Sequence, residues 1–515
     1  MKKTIAVLFV AAAMRVISAA PSVDAAFKAF WEAANVEEAA KAASDVVQSG
    51  VTFDDAYARL RQGRAYLANA PRGVVKLTRR TAAGDFPYTV DVPQTYDPAK
   101  KYQARVQLHG GVMRPDPAAR GDGSIGALAG VEQIYVLPQS WAEAQWWAAA
   151  QFDNVRAIVD SVKRTYNIDE NRVVLSGVSD GGTATYYFAM RDTTPYASFL
   201  PLNGFILVLR NRDLDIRGAL YPHNLTNKPF FVVNGGKDPL YPASRVEPFI
   251  RQFESGGLQV VYKPQANAVH NTAWWREVKD SYETFVREHP RDPHPATLTW
   301  QTDDPAARNR AHWLVIDRFG NPRPGEELPD INNFSAGQEP NFGLRSSGMA
   351  VVSVLPGSNA MDFGFLPGDI VESINDRTLP RGLELTEFLS IYDAGTKLHF
   401  VVSRENRPVD LNGTYQPTMM KRMSPIFSNG ARSGRVDLAR EGNTIRAMTR
   451  GVAAFTLLIS PDAFDFSQPI RVIADSRTVF EGRVQKSVET LMKWAARDND
   501  RTMLYGAEIQ VTLTQ

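Results

Sequence analysis

The stretch Leu175-Ser176-Gly177-Val178-Ser179-Asp180-Gly181-Gly182 lies between an apolar, β-type run and a helix-favouring run. A tight turn from a strand into a helix has no room for a Cβ at Gly177 or Gly181. Such a turn leaves Ser179 strained, with its hydroxyl above the end of the sheet. The pattern therefore predicts a nucleophilic serine. Because Gly-x-Ser-x-Gly also arises by chance, the prediction depends on an acid and a histidine further along the chain.

An acid and a histidine do follow, each beyond a predicted strand. Asp238 comes shortly after the apolar run 229–233. Parallel sheets carry functional side chains at the carboxyl ends of their strands, although an Asp-Pro pair is also common in ordinary turns. His270 follows the strand predicted at 258–262, a setting that the other six histidines lack. The order serine, acid, histidine is that of triads built on such a turn.

Each residue type suits one step of nucleophilic catalysis. A serine hydroxyl needs a base to remove its proton, which predicts His270 as base and later as acid. Asp238 would hold the histidine tautomer and stabilise the imidazolium. The backbone N–H of Asp180 and the loop at Gly110 and Gly111 are predicted donors to the oxyanion. Loss of one such donor usually costs about 2.7–4 kcal/mol of transition-state stabilisation.

Together these features resemble the α/β-hydrolase superfamily, over about residues 85–290. The nearest likeness is to secreted polyester-depolymerase and feruloyl-esterase-like enzymes, close to the prolyl-oligopeptidase branch. The residues that carry it are Leu108-His109-Gly110-Gly111, Trp146-Trp147, the run 166–173, the turn at 177–182, Gly236-Lys237-Asp238 and His270-Asn271. The resemblance implies an α/β domain with a mostly parallel sheet over 73–292. It further implies a serine carboxylester hydrolase with an acyl-enzyme intermediate.

Two aromatic pairs flank the predicted catalytic segments. Trp146, Trp147 and Trp274 either line an acyl or aryl pocket or are buried in packing, and tryptophan is highly buried on average. The sequence contains no cysteine, which excludes a cysteine nucleophile, thiolate metal sites and disulfide-braced loops. No cluster of histidine and acidic residues has the spacing of metal ligands, so we expect neither a metal nor a cofactor.

Composition and charge are those of a globular protein with two to four domains. The chain has 515 residues and a formal net charge of +2, with 44% hydrophobic residues. So small a charge argues against a nucleic-acid partner. The basic start and short apolar stretch predict a signal peptide at 1–19, hence a secreted or periplasmic protein with no membrane span in the mature chain. A buried N-terminal helix is the alternative.

The rest of the chain predicts further domains. Periodicity indicates a helical segment at 25–70, and strands and a linker at 295–333. Residues 335–408 resemble a bacterial PDZ domain, on Asn341 to Arg345, Gly348 to Ser358, Gly364 to Val371 and Ser373 to Arg377. The β-rich region 427–515 is predicted to form one sandwich with 295–317.

The PDZ resemblance implies that the loop Phe342-Gly343-Leu344 presents backbone N–H groups to the carboxylate of a peptide C-terminus. The alternative is a spacer with an internally filled groove. For the whole chain, the leading hypothesis is an exported serine carboxylester hydrolase. A serine peptidase of prolyl-oligopeptidase-like type, or a non-catalytic protein that binds peptides through the PDZ groove, are the alternatives.

Overall fold

The protein is described by a computed structural model that covers residues 21–114, 123–211, 214, 216, 218–322, 328–378, 385–389 and 392–513. The predicted signal peptide therefore lies outside the described residues. The chain forms two compact units, Met1–Asn332 with Phe427–Gln515, and Asn333–Ile426.

The first unit begins with three short amphipathic helices: α1 (Val23–Glu32), α2 (Val36–Gln48) and α3 (Phe53–Gln62). A polar side chain caps each N-terminus, because Ser22, Asn35 and Thr52 accept hydrogen bonds from backbone N–H groups of the first turn. Their apolar faces pack into a core that also includes Leu491 and Met492 from the far end of the chain.

The centre of the first unit is an eight-stranded sheet with helices in its connections. Its elements in chain order are β1 (Gly73–Thr81), β2 (Gly84–Val92), β3 (Tyr102–Leu108), β4 (Ile134–Pro138), α4 (Ala149–Thr165), β5 (Ile168–Val178), α5 (Asp180–Arg191), β6 (Ser198–Leu202), β7 (Phe230–Gly235), α6 (Ala243–Ser255), β8 (Val260–Gln265) and α7 (Trp275–Glu288).

The strand order is β1-β2-β4-β3-β5-β6-β7-β8. The first two strands are antiparallel to their neighbours, and the run from β4 to β8 is parallel. A mixed sheet of this order, with a strand–turn–helix at its centre, is an α/β-hydrolase fold, which confirms this part of the predicted fold class. Because β3, β5, β7 and β8 are parallel, their carboxyl ends meet at one edge of the sheet.

Three strands follow the sheet, β9 (Thr297–Thr302), β10 (Arg310–Ala311) and β11 (Leu314–Phe319). The chain then enters the second unit, whose elements are β12 (Asn333–Asn341), β13 (Leu344–Ser347), β14 (Ala350–Val354), α8 (Asn359–Phe363), β15 (Ile370–Ile374), β16 (Arg377–Thr378), α9 (Leu385–Leu389), β17 (Lys397–Arg404), β18 (Arg407–Thr414) and β19 (Thr418–Pro425).

The second unit contains a sheet in the order β13-β14-β15-β17-β18, with β16 paired to β15, and a separate ribbon of β12 and β19. Its core is rich in phenylalanine, with Phe342 packed against Phe363, Phe365 and Phe400.

This unit extends further than the predicted 335–408. The predicted domain ends at residue 408, whereas β18 runs on to Thr414 and pairs with β17 along its whole length. Glu405 and Asn406, both at positive φ, form the two-residue turn of this hairpin. At the other end, β12 begins at Asn333, two residues before the predicted start of this domain.

The remaining elements return to the first unit: β20 (Gly434–Glu441), β21 (Thr444–Arg450), β22 (Val452–Ile459), β23 (Ile470–Ala474), β24 (Arg477–Gly482), α10 (Val488–Asp498) and β25 (Ala507–Thr512). They complete two sheets, β24-β23-β21-β20-β9 and β10-β11-β22-β25. Trp300, Trp313, Val436 and Phe455 share one core. Strands from before and after the second unit therefore pack together.

Among the described residues, no helix has the length and apolar character needed to cross a bilayer.

Candidate active site

Ser179 lies in the sharp turn between β5 and α5. Its backbone adopts φ +56° and ψ −116°, a conformation that an L-residue rarely takes. Two hydrogen bonds hold it there: its N–H donates to the Leu202 carbonyl at 2.9 Å, and its own carbonyl accepts from the Thr183 N–H at 2.8 Å. The turn is thereby tied to β6 on one side and to the first turn of α5 on the other.

Two glycines beside Ser179 are required by contact distances. A Cβ on Gly177 would lie 2.1 Å from the Gly181 carbonyl oxygen, and a Cβ on Gly181 would lie 2.3 Å from the Leu108 carbonyl oxygen. Both obstacles are backbone atoms, which cannot rotate away as a side chain can. The sequence prediction that these positions exclude a Cβ agrees with this geometry.

The structure brings Ser179, Asp238 and His270 together in a chain of hydrogen bonds. His270 Nε2 lies 2.8 Å from Ser179 Oγ, and His270 Nδ1 lies 2.7 Å from Asp238 Oδ2. Because the carboxylate can only accept, Nδ1 carries the proton and Nε2 faces the hydroxyl as an acceptor. The three side chains can therefore pass a proton from the serine to the histidine.

Two backbone N–H groups orient the Asp238 carboxylate, independently of its bond to His270. Its Oδ1 accepts the backbone N–H groups of Leu240 at 2.8 Å and Tyr241 at 3.0 Å, which leaves Oδ2 for the ring. Asp238 is 2% exposed, whereas the His270 side chain is 21% exposed. A buried, oriented acid behind a solvent-accessible base is what a Ser-His-Asp arrangement requires.

The loops after β7 and β8 are hydrogen-bonded to each other. The Gly236 N–H donates to the Gln265 carbonyl at 2.7 Å, and the Lys237 N–H donates to the Ala268 carbonyl at 2.9 Å. These bonds hold the acid and the histidine at a fixed separation, although the two residues follow different strands.

Asn203, which the sequence analysis missed, is bonded to the loop after β8 that carries His270. Its Nδ2 donates to the Asn271 carbonyl at 2.8 Å, directly after His270. Asn203 is fully buried and has φ +49°, a conformation that asparagine tolerates better than most residues. The only sequence signal is its place in Leu202-Asn203-Gly204, at the end of a strand.

The loop after β3 lies against the nucleophile. A Cβ on Gly110 would lie 2.7 Å from Ser179 Cβ, so only glycine permits this approach. The Asp180 carboxylate, whose neighbouring N–H the sequence predicts as an oxyanion donor, accepts the Val112 N–H at 3.0 Å. The predicted oxyanion residues Gly110, Gly111 and Asp180 therefore lie together beside Ser179.

His109 sets the orientation of this loop, a role that the sequence did not reveal. Its Nε2 accepts the Ser140 N–H at 3.0 Å, so the ring proton is on Nδ1, which donates to the Gly110 carbonyl at 2.9 Å. In a trans peptide the N–H lies opposite the carbonyl. By holding the Gly110 carbonyl, His109 therefore fixes the direction of the Gly111 N–H.

The tryptophans proposed for a substrate pocket are buried. Trp146, Trp147 and Trp274 are 0%, 2% and 4% exposed. The Trp146 indole N–H donates to the His109 carbonyl at 2.9 Å, beneath the loop just described. Trp274 packs with Phe231, Val278 and other residues of the sheet core. Of the two alternatives, their burial favours packing.

Tyr241 is a further residue of the site that the sequence did not single out. Its ring meets His270 edge to face, with 5.6 Å between the ring centroids. Burial, with smaller contributions from the Asp180 and Asp238 carboxylates, raises the pKa of Tyr241 to about 12. The phenol therefore keeps its proton at neutral pH and remains a hydrogen-bond donor beside the catalytic groups.

In the second unit, the loop predicted to bind a peptide carboxylate is closely packed. Phe342 is buried in the core, and the Gly343 N–H donates to Asn341 Oδ1 at 2.9 Å. Leu344 begins β13, the terminal strand of its sheet, and α9 packs beside that strand.

Within the described residues, no group of three or more histidine, aspartate or glutamate side chains could hold a metal ion.

Comparison with protein families finds no family model that matches the chain. A bifunctional acetylxylan esterase/xylanase, XynS20E of Neocallimastix patriciarum, is 30% identical over 115 residues. That match covers 22% of this chain and 14% of the fungal protein, so the chain spans about a seventh of its curated relative.

Several solved structures resemble part of the chain. A thermostable esterase has 20% identity and a TM-score of 0.35, covering 42% of this chain and 63% of its own. The S-formylglutathione hydrolase FrmB of Staphylococcus aureus has 15% identity and a TM-score of 0.33, with 42% and 98% covered. A ferulic acid esterase has 16% identity and a TM-score of 0.33, with 42% and 99% covered. At such scores, these likenesses do not decide what this chain does.

Replacing His109 by Phe tests the role of the loop after β3. Phenylalanine keeps a ring beside Trp146 but loses both hydrogen bonds, which frees the Gly110–Gly111 peptide to rotate. Because an oxyanion donor acts in the transition state, we expect kcat on an aryl ester to fall by about tenfold or more, with KM within about twofold. The matched control is His399→Phe, in the second unit. Unchanged kcat in a folded His109→Phe protein would contradict this role.

Proposed function

We propose that this protein is a serine hydrolase that cleaves carboxylic esters through an acyl-enzyme, with no metal or cofactor. The observation that carries the proposal is the hydrogen-bond chain from Ser179 Oγ to His270 at 2.8 Å and from His270 to Asp238 at 2.7 Å. Ser179 is partly exposed, as a nucleophile must be. The match to an acetylxylan esterase supports esters as the substrate class.

In the acylation step, His270 Nε2 removes the Ser179 Oγ proton while Oγ attacks the carbonyl carbon of the ester. The carbonyl π electrons move to oxygen and form a tetrahedral oxyanion. When this intermediate collapses, the bond to the alcohol oxygen breaks and the imidazolium returns its proton to the leaving group. The products of this step are an alcohol and an acyl group on Ser179.

Deacylation repeats the same reaction steps with water as the nucleophile. His270 removes a proton from water, the hydroxide attacks the acyl carbon, and the serine oxygen leaves with the proton that the imidazolium returns. Asp238, fixed by two backbone N–H groups, stabilises the imidazolium in both steps. The released acid and the free serine complete the cycle.

The oxyanion would be stabilised by the backbone N–H of Asp180 and by the glycine loop. Asp180 is the first residue of α5, and the first N–H groups of a helix have no carbonyl partner within it. The helix dipole favours negative charge at this end. The opposing donor would come from Gly111, whose orientation His109 fixes. Donors held in place before the reaction need no reorganisation when the charge develops.

We further propose that the second unit binds an extended peptide beside β13. β13 is an edge strand of its sheet, and α9 lies on the same side. A peptide that pairs with β13 as an added strand would therefore lie between β13 and α9. The engaged Gly343 amide would have to leave Asn341 to meet a peptide carboxylate. Screening the full chain against C-terminal peptides, free and amidated, tests this: no binding of any free-carboxylate peptide would contradict it.

We also propose that the protein is exported from the cytoplasm. This proposal rests on Lys2, Lys3 and the apolar stretch after them, which are typical of a signal peptide. Recovery of a shortened chain outside the cytoplasm would support this, and an intact N-terminus in the cytoplasmic fraction would contradict it.

Ser179→Ala tests the proposed chemistry. Loss of the nucleophile should lower kcat/KM on a p-nitrophenyl ester by at least about 10³-fold, because triads fail as a unit. Ser281→Ala is the matched control, since that hydroxyl lies on α7 and bonds the Val278 carbonyl. Near-normal ester turnover by the Ser179→Ala protein would rule out this triad.

The same preparation distinguishes an esterase from a peptidase. We expect the protein to hydrolyse short aryl esters in a reaction that depends on Ser179. We expect no hydrolysis of the matching anilides. Comparable rates on esters and on peptide amides would favour the peptidase alternative.

A further inference from the structure

Tyr241 lies in a fixed position beside the proposed base. Its backbone N–H donates to Asp238 Oδ1 at 3.0 Å, and its ring meets the His270 ring edge to face, with 5.6 Å between the ring centroids. The ring of Phe205 lies next to it as well, at a centroid distance of 6.0 Å. Aromatic rings attract each other at such distances, so the phenol keeps its place next to the histidine.

The Tyr241 hydroxyl makes no hydrogen bond to any residue that the structure describes. Tyr241 is half-buried, and its hydroxyl is not one of those sealed from solvent without a partner, such as the hydroxyls of Tyr196 and Tyr282. Burial raises the pKa of Tyr241, and the Asp180 carboxylate adds more to this rise than the Asp238 carboxylate does. Since the influence of a charge falls with distance, the hydroxyl lies nearer to Asp180 than to Asp238.

The Asp180 carboxylate has an unused oxygen. Its Oδ2 accepts the Val112 N–H at 3.0 Å. Among the residues that the structure describes, Oδ1 accepts no hydrogen bond, and no lysine, arginine or histidine nitrogen lies within 4 Å of the carboxylate. Asp180 is half-buried. The free oxygen can therefore accept from water or from a bound molecule.

Within the described part of the chain, no hydrogen bond joins the phenol of Tyr241 to the carboxylate of Asp180. The two groups therefore offer one donor and one acceptor to a third group. A hydroxyl satisfies both, because its oxygen accepts from the phenol while its hydrogen donates to the carboxylate. A carboxylate can only accept and would be repelled by Asp180, and an ammonium group can only donate. The pair therefore favours a neutral hydroxyl group.

The proposed mechanism indicates which part of an ester meets this pair. His270 Nε2 must return its proton to the alcohol oxygen, so that oxygen has to lie beside the ring that Tyr241 contacts. The carbonyl oxygen instead faces the proposed oxyanion loop, where Gly110 lies against Ser179. The atoms that follow the alcohol oxygen are therefore the ones that pass Tyr241.

We propose that Tyr241 and Asp180 form a subsite for the alcohol part of the ester, and that they select alcohols with a hydroxyl group on the carbon next to the one that bears the ester. Monoesters of glycerol and of other vicinal diols have this structure. Phe205, beside the phenol, would cover part of the hydrocarbon of such an alcohol. The inference rests on the proposed function, because it needs Ser179 and His270 to cleave esters.

Hydrolysis of two acetates that differ only in the alcohol tests the proposal. Glycerol 1-acetate carries the hydroxyl groups, and propyl acetate has the same carbon chain without them. We expect kcat/KM of the full chain to be at least about tenfold higher on the glycerol ester, because the propyl ester leaves the phenol and the carboxylate without partners. A ratio near one would overturn the proposal.

Variants assign the preference to these two side chains. Tyr241→Phe should reduce the ratio about fivefold and Asp180→Asn about tenfold. The asparagine oxygen can still accept the Val112 N–H, but its NH₂ group cannot accept from a substrate hydroxyl. A partly folded variant loses both activities equally, so the ratio reports on the subsite alone. Tyr57→Phe, at a hydroxyl on α3 that bonds Asp462, is the matched control and should leave the ratio unchanged. An unchanged ratio in Tyr241→Phe and Asp180→Asn would contradict the assignment.

Further outcomes separate this inference from the function on which it rests. Ethyl lactate and ethyl propanoate differ by a hydroxyl on the acyl side. If Tyr241→Phe changes their ratio and not that of the acetates, the pair binds the acyl part and the proposal is wrong. Hydrolysis that depends on Ser179 but shows no preference for the glycerol ester would overturn the subsite alone. Absence of hydrolysis of all four esters would contradict the proposed function as well.

Discussion

The whole site depends on one close backbone contact. The Cα of Gly181 packs against the end of β3, so that a Cβ there would lie 2.3 Å from the Leu108 carbonyl oxygen. This approach brings the start of α5 against the sheet and forces the chain at Ser179 to a positive φ. The strain is maintained by the bonds of Ser179 to Leu202 and Thr183. Strain of this kind persists only where the surrounding structure over-determines it.

The same contact also determines where the oxyanion loop lies. Leu108 is the last residue of β3, and His109 and Gly110 follow it beside Ser179. A change that pushed α5 away from β3 would therefore move the nucleophile and its opposing loop together. The acid and the histidine are attached differently, through hydrogen bonds between the loops after β7 and β8. The two parts of the site are joined by the bond between Ser179 and His270 and by the end of β6, where Leu202 accepts from Ser179 and Asn203 donates to Asn271.

Much of this arrangement is predictable from sequence because it is local. The turn at Ser179 needs two glycines in fixed positions, and Asp238 and His270 each follow a short apolar strand. Parallel strands bring their carboxyl ends to one edge, so the order along the chain is enough to predict that these residues meet.

The rest is not predictable in this way, because it consists of contacts between distant segments. The bond from Ser140 to His109 fixes a tautomer, and the bond from Asn203 to Asn271 fixes a loop. Neither bond joins residues in a recognisable motif. The end of the second unit lies beyond the predicted residue 408 for a related reason. Glu405-Asn406, the turn between β17 and β18, is a weak turn signal compared with Asn-Gly. A tryptophan likewise looks the same in sequence whether it lines a pocket or, as Trp146 does, lies buried.

The most direct test of the central claim is covalent labelling with a fluorophosphonate, followed by mass mapping of the modified peptide. Only a serine activated by a neighbouring base reacts rapidly with such a probe. We predict one phosphonyl group per chain, on Ser179, with labelling lost in the Ser179→Ala protein. Absence of labelling in the folded protein, or a label on another residue, would contradict the account.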